Sequence, residues 1–125
     1  MDKKAVAEIK KLYKEATGVI NNSDNKNYDR VSDEVKQAVA ALKALAEQGY
    51  VEAQYTLGEY FSTGYCVELD KAKAAFWYEE AAKSGSVQAA RALLDLYRFC
   101  RPEHISAEQT EALARQWHKK WFSML

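Results

Sequence analysis

From Ala53 to Gly85 the chain reads A-Q-Y-T-L-G-E-Y-F-S-T-G-Y-C-V-E-L-D-K-A-K-A-A-F-W-Y-E-E-A-A-K-S-G, and the spacing within this stretch decides the fold. Ala53, Leu57, Tyr60 and Phe61 recur at intervals of three and four, which gathers them on one face of a helix and has no counterpart in a strand. Gly64 follows them where a left-handed helix end would fall, and Gly85 closes the stretch in the same way. Asp70 has the side chain to cap the start of a second helix. The stretch therefore predicts two helices, at about 51–63 and 70–84, joined by a short turn. Gly58 lies inside the first of them although glycine costs about 1 kcal/mol against alanine there. That choice predicts a neighbouring helix crossing at Gly58.

Working outward, the chain matches itself. Gly49 and Gly85 are 36 residues apart, and at the same offset Ala38 meets Ala74, Ala46 meets Ala82, Val51 meets Val87, Ala53 meets Ala89, Leu57 meets Leu93 and Phe61 meets Tyr97. Small residues fall on small and large on large, which is the signature of a structural repeat. Val39, Leu42, Leu45 and Ala46 carry the helical period upstream. With Pro102 and five glycines as the main punctuation, helices are predicted at about 2–19, 33–48, 51–63, 70–84, 87–100 and 106–122. Ser106 and Gln109 have the spacing of a capping box. Asn21 to Asn27 forms a polar, asparagine-rich insertion that reads as a mobile loop.

At nearly every signature slot the stretch resembles the Sel-one-like repeat, a relative of the tetratricopeptide repeat. The slots are Ala53, Leu57-Gly58, Phe61, Gly64, Val67, Asp70, Ala74, Trp77-Tyr78, Ala81-Ala82 and Gly85. A weaker copy follows in Ala89, Leu93, Tyr97, Ala114 and Trp117, and Ala38, Ala46 and Gly49 look like the second helix of a preceding one. There are departures. Cys66 stands where the family usually has a second glycine, Leu94 takes the Gly58 slot, Arg101 to Ile105 adds four residues, and Trp121 and Phe122 occupy the slots of Ala81 and Ala82. The resemblance implies an all-α fold, a right-handed superhelical stack of about six antiparallel helices forming one domain over 1–125. Its parts would be 1–32 (helix and polar loop), 33–50, the complete repeat 51–85, and 86–125 (degenerate repeat and carboxy-terminal cap).

The same resemblance implies an adaptor or recognition module whose inner face comes from the first helix of each pair. The face would comprise Glu52, Tyr55, Glu59 and Ser62, then Gln88, Arg91, Asp95 and Arg98. Lys4, Lys11 and Lys14 would extend it on the first helix if Ile9 takes the Leu57 slot. The expected partner is another protein, held by shape and paired charges. A narrower expectation, suggested by the small size and mixed-charge groove, is an immunity or antitoxin protein that neutralises a bacterial toxin or effector. The expected oligomeric state is a monomer or a weak homodimer through the last helix.

Bulk properties exclude several alternatives at this level. The 125 residues suit one domain, and 18 basic side chains balance 18 acidic ones, so no global field draws a nucleic acid. No window approaches the ~18 apolar residues of a membrane span, and Glu8 and Lys10 interrupt the amino terminus before a secretory core forms. A cytoplasmic location is expected. Cys66 and Cys100 read as thiols, and with His104 and His118 they match no zinc spacing. Glu79-Glu80 and Asp33-Glu34 are adjacent pairs whose side chains diverge on a helix. No phosphate loop or serine elbow is present, so no enzyme activity, cofactor or metal is expected. Arg115 to Phe122 interleaves basic and aromatic residues. It reads as an amphipathic helix with Trp117 in a core slot, leaving Trp121, Phe122, Met124 and Leu125 as an exposed patch.

Overall fold

Helix-forming composition and sparse punctuation carry through to the computed structural model, which describes residues 3–23, 28–100, 102 and 105–125. Helix α1 spans Lys3–Asn21, α2 Asp33–Glu47, α3 Val51–Thr63, α4 Lys71–Lys83, α5 Val87–Asp95 and α6 Ala107–Met124. A short 3-10 turn, Tyr28–Arg30, precedes α2, and no β-strand occurs among the described residues. Each helix packs chiefly on its neighbours in sequence, giving a stack of antiparallel pairs.

The ends follow from side-chain chemistry. Ser32, Asp70, Ser86 and Ser106 each accept a backbone N–H from the first turn that follows, supplying a partner that the helix itself cannot provide. At Ser106 the bond is reciprocal, with the Gln109 side chain accepting from the Ser106 N–H at 3.2 Å. Gly49, Gly64 and Gly85 take φ values of 95°, 74° and 100°, where a β-carbon is disfavoured. Lys71 adds a link at the end of α3 by donating to the Ser62 carbonyl.

Burial follows the repeat. Ala38 and Ala74, Ala46 and Ala82, Ala53 and Ala89, and Leu57 and Leu93 are all buried, so the self-match of the sequence is a match of core positions. One core lobe lies among α1, α2, α3, the loop after α3 and Trp77 of α4, and the other among α4, α5 and α6. Phe61 packs against both lobes. Fully burying each leucine contributes about 1.5–3 kcal/mol, while the alanines let the helix axes approach. The closest approach is at Gly58. A β-carbon there would stand 2.5 Å from Cδ1 of Tyr78, as expected for a crossing helix. In the next repeat Leu94 fills the glycine slot and is itself buried.

Three differences from the sequence reading have physical causes. Helix α1 runs through Gly18 to Asn21, because nothing crowds that glycine and Ile20 is buried; of the polar insertion, Asp24 to Asn27 lies outside the described residues. The fifth helix stays α-helical only to Asp95, and Leu96–Cys100 continues as a π-helix ahead of buried Pro102, which has no N–H to extend the ladder. In the last helix the expected patch is only partly exposed. Phe122 and Leu125 are open, whereas Trp121 and Met124 are half-buried against the second lobe. The outward side of α6 is otherwise polar, with Glu108, Glu111, Arg115 and Lys119 exposed.

Candidate functional site

Where the first helices of the pairs come side by side, a pocket of about 450 Å³ opens, lined by Tyr13 of α1, Val51, Glu52 and Tyr55 of α3, the Ser84-Gly85-Ser86 turn and Gln88 of α5. Three helices therefore share one face.

Its aromatic walls are fixed by their neighbours. The Tyr13 hydroxyl bonds Oγ1 of Thr56 at 2.8 Å, and its ring meets the Tyr50 ring edge-on at 5.3 Å between centroids. Tyr50 donates to Oε2 of Glu52 at 3.0 Å; burial and, secondarily, that carboxylate push its phenol up to about 12. Tyr55 lies 5.9 Å from the Tyr78 ring. Burial likewise pushes Tyr78 up to about 12, with its bond to Ser62 opposing. With their phenols raised, Tyr50, Tyr55 and Tyr78 stay protonated at neutral pH, and the tyrosines act as hydrogen-bonding groups or flat apolar surfaces.

The charged groups fall into two sets. Glu52, Tyr55 and Glu59 stand at i, i+3 and i+7 along α3, one stripe about 10 Å long. Partial burial raises the Glu59 carboxyl above its ordinary range, and its charge is felt at the Tyr55, Tyr60 and Tyr78 hydroxyls. Neither Glu52 nor Glu59 forms an ion pair among the described residues. Arg91, by contrast, is already engaged. It pairs with Asp95 at 3.3 Å and lies 4.9 Å from the centre of the Trp121 ring, tying α5 to α6.

The residues expected on the inner face are thus distributed. Tyr55 lines the pocket with Glu52 and Gln88, and Glu59 follows one turn on. Ser62 is half-buried, donating to the Glu59 carbonyl at 3.1 Å and bonding the Tyr78 hydroxyl at 3.3 Å. Arg98 lies in the π-helical segment and lines a different pocket, with Thr110, Glu111 and Arg115 of α6. On α1, Lys4, Lys11 and Lys14 are exposed, and it is Tyr13 that reaches α3. At about 100° per residue Lys11 stands about 160° around the helix from Tyr13, and Lys14 about 100°. Tyr13 joins the face although the sequence pattern places it only as an aromatic residue on the same stripe as Ile9, Ala16 and Ile20.

A second pocket, about 400 Å³, lies between α2 and the loop after α3, lined by Lys36, Val39, Phe61, Cys66 and Val67 among others. Among the described residues no three of His, Cys, Asp and Glu gather as a metal would require. Of the soft ligands considered from sequence, His104 lies outside the described residues and His118 rests 6.1 Å from the Trp121 ring. No described helix is long and apolar enough to cross a membrane.

No protein-family model matches the sequence. Among solved structures, the chain is similar to a Sel1 repeat protein from Oxalobacter formigenes, with a TM-score of 0.66 and 23% identity, over 94% of this chain and 44% of that one. This chain therefore spans less than half the length of that protein. The likeness shows the fold, an all-α helical-repeat superhelix of the Sel1 kind.

Proposed function

We propose that this chain, folded as a Sel1-type helical repeat, is a protein–protein interaction module that holds a partner on the face shared by α1, α3 and α5. The observation that carries the reading is the tyrosine-walled pocket at Tyr13 and Tyr55. Tyrosine gives large contact area for little lost rotamer freedom, which is why it is enriched at interfaces. Here the rings are already immobilised by Thr56, Tyr50 and Tyr78, so binding would cost little further ordering. Of the charged residues of the inner face, Arg91 and Asp95 contribute less directly, being paired with each other. Arg98 would act at a separate edge.

The test is a comparative affinity capture from the native cell extract with wild type and Tyr55→Ser, each shown folded by circular dichroism. The expected result is a protein recovered with the wild type and lost with the variant. Equal recovery with both, or no protein specific to either, would overturn the reading. Recovery of a toxin or secreted effector would narrow it to an immunity protein.

A further inference from the structure

We infer that the pocket and the stripe beside it receive a basic segment of the protein partner, one that presents two arginine or lysine side chains about 10 Å apart. The inference rests on the reading of this face as a protein-binding surface and specifies what the surface recognises.

Charge complementarity carries the argument. Among the described residues, Glu52 is the only charged side chain lining the pocket. Tyr50 holds one of its oxygens by donating to Oε2, which orients the carboxylate and leaves Oε1 for a ligand. The faces of Tyr13 and Tyr55 carry the negative side of the ring quadrupole, and a planar guanidinium stacks on such a face while forking to a carboxylate. Seven residues along α3, Glu59 provides the second position, with its carboxyl raised by partial burial and no cation within ion-pair distance among the described residues. A cation arriving there would offset that desolvation and favour the ionised form.

Several cations of the chain are committed elsewhere. Arg91 is held by Asp95 and Trp121, Lys83 by Glu79 and Glu80, and Lys73 and Lys120 lie over Phe61 and Trp117. The spacing of Glu52 and Glu59, about 10 Å, matches residues three apart in a polyproline II segment, which rises about 3.1 Å per residue and returns to the same side every third residue.

The experiment uses 15N-labelled protein titrated at low ionic strength with acetyl-Arg-Ala-Ala-Arg-amide and with the same peptide carrying citrulline, a neutral isostere, at both arginine positions. The expected result is saturable shifts of the Tyr13, Glu52, Tyr55, Glu59 and Gln88 amides with the arginine peptide. Affinity should fall at least tenfold for the citrulline peptide, and at least tenfold for the arginine peptide on the Glu52→Gln/Glu59→Gln protein, whose isosteric side chains preserve the fold. Equal response to both peptides, shifts confined to other surfaces, or no saturable shift would overturn the inference. If the peptide fails while Tyr55→Ser still abolishes capture of a cellular protein, the interaction reading survives and the basic character of the partner does not.

Discussion

The α-carbon of Gly58 faces the ring of Tyr78 so closely that a β-carbon would lie 2.5 Å from Cδ1 and 2.6 Å from Cε1. Gly58→Ala should therefore destabilise the protein by about 1–3 kcal/mol, against the gain of about 1 kcal/mol that alanine brings to an open helix position. The cost should shrink when Tyr78 is replaced by leucine, giving a coupling energy in a denaturant double-mutant cycle. Strict additivity would mean that the ring is not what excludes the side chain.

Two other glycines should respond in opposite directions. Gly18 sits inside α1, and a β-carbon added there would meet nothing within 4 Å, so Gly18→Ala should stabilise by about 0.5–1 kcal/mol. Gly85 has φ of 100°, and Gly85→Ala should destabilise by about 1 kcal/mol or more. Urea midpoints of the two variants check both signs at once.

Much of this was legible beforehand because it depends on local chemistry. Repeat spacing, caps and the helix-end glycines are fixed by residues a few positions apart, and the 36-residue offset in sequence pairs alanine with alanine and leucine with leucine at buried sites. The Cys66 departure has the same kind of meaning. Its φ of 61° is where glycine is favoured, so the chain trades backbone ease for a buried side chain there. What escaped depends on long-range contact. Gln54 is buried because its amide donates to the Ala46 carbonyl at 3.1 Å, and Tyr13 reaches the site because Thr56 lies across from it; periodicity alone indicates neither. The π-helical segment after Asp95 likewise broke the α-helical register that had grouped Arg98 with Arg91.

Glu59 should leave a signature in pH dependence. Its folded pKa is raised by partial burial, so the stability contributed by the protonated form is complete below the unfolded carboxyl value and is lost as pH rises through the folded one. Glu59→Gln keeps the uncharged form at every pH. Its melting temperature should match wild type near about pH 4 and exceed it near about pH 7, as calorimetry would show. A variant less stable at the higher pH would mean that the carboxylate already has a stabilising cation.

At the other end of the stack, Arg91 and Trp121 should act together. A cycle of Arg91→Met and Trp121→Leu should give a coupling of about 0.5–1 kcal/mol, while Ser106→Ala should cost about 1 kcal/mol through loss of the capping box. No coupling across α5 and α6 would contradict the packing described.

The central claim, that the face built on Tyr13 and Tyr55 is where another protein binds, is tested most directly by site-specific photo-cross-linking in living cells. A benzophenone amino acid is placed at Tyr55, which lines the pocket, or at Phe76, which is 54% exposed and is not among the residues lining it. The account predicts a discrete cross-linked protein from position 55 that is absent from position 76. Cross-links from position 76 alone, or from neither, would contradict it.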